Sequence, residues 1–369
     1  MDRSNSIFLH KLFKAIADAI IIVFIPLYII KETDDYRLSI AYLIAFSLFV
    51  IFFMFVLKKL IQKFGVICIM LHFIPIVGTE AILSFLSINI YTVLISAMLM
   101  GLSQALYSIS INIIFAFGDK NNNVGKFMIA TNIGKLIFIL ASGLILSNIK
   151  NSFMFLSIAS TVFYIICIFP LIFAYKELKQ NYDQIDKTRP KIKLNKWFVL
   201  FHITFGLFQP IMDNIVPLYL YVNNLSFQSV TILIVLIEFF KIIVNYISQF
   251  LVKKNKSIIC VIISFILFMT SIIVIIFVKN SIVLYIFSTI CSLSFPLTFV
   301  PMFSLYCRYL QETNNIFAGM TERDFEIFSF RAPMYLLSYI GFMFYPILIF
   351  GILIVPIMFL SEIKLIKNK

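Results

Sequence analysis

His10, Lys14 and Asp18 follow one another at steps of four residues, and so do Gln104, Ser108 and Asn112. Glu238, Lys241, Asn245 and Gln249 run at steps of three and four, as do His202, Gly206, Gln209 and Asp213. Thr131, Lys135 and Ser142 form a looser set, and Arg331, Tyr335 and Ser338 a tighter one. On an α-helix, residues three and four apart share a face, so each set is a polar stripe. Every stripe lies in a strongly apolar run, where a charge costs at least ~2.5 to 3.5 kcal/mol on insertion scales and is seldom kept without use. The chemistry open to such stripes is solute binding, or reversible protonation of a desolvated carboxylate. They could also only hold helices together by hydrogen bonds. Membrane-embedded catalysis would call for a His, Asp and Glu cluster on a loop, which this sequence does not show, so no enzyme is expected.

The individual charges carry competing readings. Asp18 has Lys14 one turn away and can simply pair with it, or it can serve proton coupling. Asp213 has no basic neighbour on its own helix, which favours a coupling or substrate role. Glu238 and Lys241, three residues apart, make a local ion pair the leading reading there. Lys135 and Arg331 could instead meet an anionic substrate or one of these carboxylates. Glu80 is expected near a lateral or outer surface. Cys68, Cys167, Cys260, Cys291 and Cys307 are scattered singly, and His10, His72 and His202 are isolated, so packing roles are expected and no metal site. In GDKNNNVGKF six residues separate Gly118 from Gly125, and Phe127 stands where a phosphate loop needs Ser or Thr. No cofactor and no ATP site follow from this.

The elements that position these residues are legible in composition. With 62% hydrophobic and 13% charged residues, and a mean hydropathy of +1.03, the chain is expected to be an integral membrane protein. Crossing ~30 Å of hydrocarbon at 1.5 Å per residue takes about 20 apolar residues. Runs of that kind fall at 9–30, 38–57, 66–86, 91–117, 126–147 and 152–175, then at 197–222, 228–252, 257–278, 282–307, 325–344 and 346–362, the last pair hinged near Tyr345-Pro346. Continuous runs such as LIFILASGLIL do not alternate as barrel strands would. The fold class is all-α, a polytopic membrane protein of about twelve transmembrane helices.

With the amino terminus on the cytoplasmic side, 23 of the 30 Lys and Arg residues fall in inside segments, and only Lys31, Arg37, Lys150 and Lys279 outside. Both termini are therefore expected in the cytoplasm of a multi-pass protein of the cell membrane. The net charge of +13 is accounted for by topology and anionic lipid headgroups, with no nucleic-acid partner implied. The first span carries Asp18 and leads into KETDDYR with no small-residue cleavage site, so it is expected to remain.

The sole long hydrophilic segment, Tyr175 to Lys196, divides the chain into similar parts: a six-helix bundle over 1–175, a cytoplasmic linker over 176–196, and a second six-helix bundle over 197–369. The parts echo each other. FIPLYII and IVPLYLY place Pro26 and Pro217 191 residues apart; LKKLIQKFGVICIM pairs with LVKKNKSIICVI, and KFMIATNIGKLIFILASG with DFEIFSFRAPMYLLSYIG. Pro26 and Pro217 remove backbone hydrogen bonds near the outer helix ends, and Tyr28 and Tyr219 beside them suit a cavity mouth or the membrane boundary, so these four are gate and hinge candidates.

Two six-helix halves in parallel repeat, a basic central loop and inside termini resemble the major facilitator superfamily of secondary transporters. The resemblance spans the whole chain and rests on architecture. Of the family's G-x-x-x-D-R-x-G-R-R signature, only Gly65 and the charge of Lys63 survive; Lys58, Gln62 and Val66 stand at the first Gly, the Asp and the following Arg. The resemblance implies a central cavity bounded by the first, second, fourth, fifth, seventh, eighth, tenth and eleventh helices, where most of the stripes lie. It assigns Asp18, Gln104, Asn112, Lys135, Gln209, Asp213, Glu238, Lys241 and Arg331 to a substrate or proton pathway. The function expected is secondary active transport of a small-molecule substrate by alternating access, driven by protons. The alternative is a non-transporting protein of the same fold: a lipid scramblase, an immunity protein or a sensor.

Overall fold

The computed structural model describes residues 3–118, 124–185, 187, 194–222, 225–277, 280–340 and 344–367. Among them all regular structure is helical. With no water in hydrocarbon to bond the backbone, each apolar run satisfies its own N–H and C=O groups. The segment of GDKNNNVGKF from 119 to 123 lies outside the described residues.

The chain opens with α1 (Arg3–Ile20), a 3-10 turn (Ile22–Phe24) and α2 (Ile25–Thr33). Ile21 leaves the helical region at φ −143° and ψ −43°, and the two helices bend by 42°. Pro26 falls in the first turn of α2, where its missing N–H would have had no intrahelical partner. Asp34, in the left-handed region at φ 54°, ends α2. Asp35 then caps α3 (Tyr36–Leu71) by accepting from the Arg37 amide at 2.8 Å.

Here the structure departs from expectation. The runs 38–57 and 66–86 are not parted by a loop, because α3 continues through Lys58, Lys59 and Lys63 and only kinks at Phe64 (φ −126°, ψ 28°). The stretch from Leu57 to Phe64 holds no Gly or Pro and several strong helix formers, so nothing in it stops the helix. A short α4 (Phe73–Phe85) follows, then α5 (Ile90–Gly118), α6 (Val124–Asn148), α7 (Ser152–Phe173) and α8 (Tyr175–Asp183).

The second part repeats the opening. It has α9 (Lys196–Pro210), a π turn (Ile211–Ile215) and α10 (Val216–Val222), with Pro217 in the first turn of α10. Shifting the first 3-10 turn by the 191-residue repeat places it on 213–215, inside the π turn. Both irregular turns thus precede the repeated Pro-Leu-Tyr. Next come α11 (Phe227–Lys253), α12 (Ser257–Phe277), α13 (Ser281–Glu312), α14 (Ile316–Ile340) and α15 (Phe344–Lys367). Tyr345 and Pro346, near which the last pair of runs was expected to hinge, stand in the first turn of α15. Arg308 and Arg323, expected in one polar loop, lie in α13 and α14, and Arg323 is buried.

Among the described residues, seven helices are long and apolar enough to cross a membrane, and the bent α1/α2 pair makes an eighth. The expected twelve are not reached on that criterion. The run 66–86 is split at His72, the run 197–222 is broken by the π turn, and α14 carries Glu322, Arg323, Asp324, Glu326 and Arg331.

Before α8, α1 packs on α6 and α7, α3 on α5, and α4 on α5 and α7; after it, α9 packs on α14 and α15, α12 on α13 and α15, and α11 on α13. The two groups meet along α6 with α11 and α3 with α14. At Gly143 the Thr231 side chain fills the place a Cβ would take, so only glycine lets α6 and α11 approach so closely there. The rim is apolar: Phe55, Phe85, Phe173 and Phe277 are 70% exposed or more, as lipid-facing side chains are. The linker contributes most of α8, whose Tyr182 hydroxyl donates to the Ile61 carbonyl at 2.5 Å. Gln62 Nε2 donates to the Lys187 carbonyl at 2.6 Å.

Candidate functional site

A cavity of about 350 Å³ lies between the two helix groups. The first group lines it with Asp18, Pro26, Tyr42, Phe46, Gln104 and Lys135. The second adds Asn214, Pro217, Glu238, Lys241, Arg331 and Tyr335. Aliphatic side chains such as Ile22, Leu27, Leu43, Leu218 and Ile237 fill the gaps, giving an apolar wall with polar groups at chosen points.

Asp18 is held from two sides. Lys14 Nζ lies 2.7 Å from its Oδ2, and the Tyr164 hydroxyl donates to Oδ1. Lys14 also stands 4.7 Å from the Tyr107 ring centroid, a cation over an aromatic face. Across the cavity, Glu238 Oε1 receives Lys241 Nζ at 3.2 Å and Lys135 Nζ at 3.8 Å. The second contact ties α6 to α11 and so bridges the groups. Both readings of the sequence meet at Glu238, which has its neighbour on the same helix and a second lysine from the other group. Arg331 donates to the Gln209 side-chain oxygen and stacks 4.2 Å from the Phe328 ring centroid. Asn214 Nδ2 donates to the Tyr335 hydroxyl at 2.8 Å.

On the face that carries α8, the two groups are joined by polar contacts. Asn112 Nδ2 donates to Asp324 Oδ2 at 3.1 Å, and Arg323 Nη1 lies 2.5 Å from Asp324 Oδ1. Gln311 donates to the Ala116 carbonyl, and the Gly125 amide donates to Gln249 Oε1 at 2.6 Å. Within the second group, His202 Nδ1 bonds Glu326 Oε2 at 2.8 Å. Arg323, Asp324 and Asn112 are joined to one another outside the cavity lining.

The residues named from sequence therefore divide by place. Asp18, Gln104, Lys135, Glu238, Lys241, Arg331, Pro26 and Pro217 line the cavity. Asn112 belongs to the polar closure instead, and Gln209 acts through Arg331. Tyr28 stacks on Phe153 with ring centroids 4.0 Å apart, within the first group. Tyr219 packs half-buried against the core. The Asp213 backbone belongs to the π turn, and its side chain lies outside the described structure.

Glu80 is not at an outer surface. It is 1% exposed and accepts from Ser160 at 2.7 Å and Thr161 at 3.3 Å, so α4 and α7 are tied through it. The buried His10 and His72 complete this polar interior, their rings 5.7 and 4.6 Å from that of Tyr107. The runs 282–307 and 325–344 leave Arg323 and Asp324 between spans, whereas both are buried in α14. A usable signal was present, since Asp324 lies seven residues before Arg331 and thus on the stripe of Tyr335 and Ser338.

The sequence matches the Major Facilitator Superfamily over residues 7–321. The chain belongs to that family, and is a multi-pass membrane protein of transporter type. Among solved structures it is similar to a bacterial homologue of the iron transporter ferroportin in an outward-facing state, at 12% identity, with 100% of each chain covered and a TM-score of 0.73. It is also similar to the human organic anion transporter MFSD10 (TETRAN), at 8% identity, with 98% of each chain covered and a TM-score of 0.66. No curated protein matches the sequence.

Proposed function

We propose that the chain is a secondary active transporter that moves a small solute across the cell membrane by alternating access, with proton coupling and no enzymatic chemistry. Its halves are six-helix bundles over 1–175 and 197–369, joined by a linker at 176–196, with both termini in the cytoplasm. One observation carries the reading: a cavity lined from both helix groups, with three hydrogen bonds between those groups gathered on the α8 face, Asn112 to Asp324, Gln311 to Ala116 and Gly125 to Gln249. Among the described residues an exposed Gln228 to Asn148 bond also joins the groups, at the far ends of α6 and α11. A site between two bodies, closed on one side by breakable hydrogen bonds, is what rocking of the halves requires. The state fits the outward-facing description given for the ferroportin homologue.

The test is proteoliposome flux with and without an imposed pH gradient, combined with cysteines at Gln104 and Asn112. Aqueous thiol reagents added outside are expected to reach position 104, and reagents added from the cytoplasmic side to reach 112 only when the cycle turns. A protein that carries no solute or proton and shows one fixed labelling pattern would be a non-transporting member of the fold.

A further inference from the structure

We infer that the central site takes a small organic monoanion, and that one proton is taken up with it on Glu238. The inference rests on the reading of the cavity as a solute site and adds to it the ligand's charge and the proton's address.

Charge decides the ligand class. Among the described residues the cavity is lined by Lys135, Lys241 and Arg331 against Asp18 and Glu238. Three cations against two carboxylates leave a surplus of one positive charge. Bilayer and protein surround the site with low dielectric, where such a surplus is felt strongly and a single negative charge on the solute removes it. The wall between the charges is largely aliphatic, which suits an organic body behind the anionic group.

Geometry decides the proton site. Glu238 is 4% exposed, and its two oxygens differ. Oε1 takes both lysines, at 3.2 and 3.8 Å, while the enclosed Oε2 has no hydrogen-bond partner among the described residues. The charged and titratable groups around Glu238 are Lys135 from α6 and Lys241 from α11 itself. Facing it across the cavity are Asp18 of α1 and Arg331 and Tyr335 of α14, and α13 turns the Phe295 ring toward Lys241.

An anion that engages Lys135 and Lys241 competes with Glu238 for both. A buried carboxylate that loses its cations is costly, and it recovers by binding a proton. A hydronium ion at the cavity mouth gives up one O–H bond and becomes water as the new O–H bond forms at Oε2, so one proton leaves the medium and no other covalent bond changes. Anion and proton thus favour each other's binding, and by linkage each raises the affinity for the other by the same factor. The loss of the Lys135 contact also removes a bridge between α6 and α11, so loading the site frees the two groups to move.

The experiment uses the full chain in nanodiscs, in weakly buffered medium with a pH-indicating dye. The probes are acetate, lactate, benzoate and salicylate as monoanions, glutarate as a dianion, choline as a cation and glucose as a neutral solute. The readouts are thermal stabilisation and proton uptake. At least one monoanion is expected to stabilise the protein, with uptake of about one proton per anion bound and roughly tenfold tighter binding for each unit of pH lowered below neutrality. Glu238→Gln is expected to bind the same anion with pH-independent affinity and no proton uptake, and Glu238→Asp to restore the uptake. If Glu238→Gln does not survive extraction, Lys241→Met takes its place, with proton uptake per bound anion reduced because Glu238 has already lost a cation. Silence of every monoanion, or stabilisation by choline or glucose alone, overturns the ligand class. Anion binding without proton uptake in the unaltered protein overturns the role of Glu238. Neither result touches the transporter reading, which falls if no solute or proton flux is seen and the labelling at positions 104 and 112 is fixed.

Discussion

Asn112 Nδ2 reaches Asp324 Oδ2 across 3.1 Å, so the end of α5 is bonded to the start of α14. Asp324 is buried and also meets Arg323 at 2.5 Å. Asn112→Ala leaves that carboxylate short of one donor, and hydrogen bonds to charged groups contribute ~1.5 to 3 kcal/mol. Such a change moves a two-state balance by about tenfold or more toward the state in which this face is open. Reactivity of a cysteine at Ser108 toward a cytoplasmic-side reagent should rise accordingly. Unchanged reactivity would mean that Asn112 does not help to hold the closure.

Gly65 is what survives of the family signature, and the structure gives it a packing role. The ring of Tyr182 lies where a Cβ on residue 65 would stand, and its hydroxyl is already committed to the Ile61 carbonyl. The ring has no free direction of retreat. Gly65→Ala is expected to cost ~1 to 3 kcal/mol through overpacking and to loosen α8 from α3. Limited trypsin digestion at Lys179 or Lys187 should quicken several-fold, and Tyr182→Ala in the same chain should relieve the clash though not the loosening.

Much of this architecture was legible because hydropathy reports on the largest energetic term in a membrane. The runs at 91–117, 126–147 and 152–175 agree with α5, α6 and α7 to within a few residues. The stripes of α1, α5, α6, α11 and α14 were also visible, since helical spacing alone puts Asp18, Gln104, Lys135, Glu238 and Arg331 on definable faces. What spacing cannot show is which stripe meets which. Lys135 and Glu238 are 103 residues apart in sequence, and nothing local says that they touch. Helix continuity across Lys58 to Lys63 was masked by charge, which ends a membrane run without ending a helix. Arg323 and Asp324 were hidden the same way: two adjacent opposite charges read as loop, although buried against each other they belong to α14.

Topology admits a direct check. A reporter active only in the cytoplasm should work when fused after Asn181, in α8, and be silent after Asp34, where α2 ends. The expected charge asymmetry is large, with 23 of the 30 Lys and Arg in the segments assigned to the inside from sequence. The reverse pattern would place the cavity mouth toward the cytoplasm and require the closure at Asn112 and Asp324 to be read as extracellular.

The repeated Pro-Leu-Tyr can be tested as a pair of built-in helix breaks. Pro26 and Pro217 each follow an irregular turn, Ile22–Phe24 in one case and Ile211–Ile215 in the other. A proline ring cannot sit against the carbonyl four residues earlier, which here belongs to Ile22 or Asp213, and in an uninterrupted helix this costs ~3 kcal/mol or more. The irregular turns therefore relieve a conflict that the prolines create. Pro26→Ala and Pro217→Ala remove the conflict, so the straight helix becomes competitive with the bent one. Both prolines line the cavity, and straightening either helix draws its wall inward. The expected result is a protein of equal or higher thermal stability whose cysteine at position 104 reacts several-fold more slowly with aqueous reagents, the double variant more so than either single one. Lower stability with unchanged reactivity would show instead that the prolines are held by packing against their neighbours, with the bend set by Ile21 and the π turn themselves.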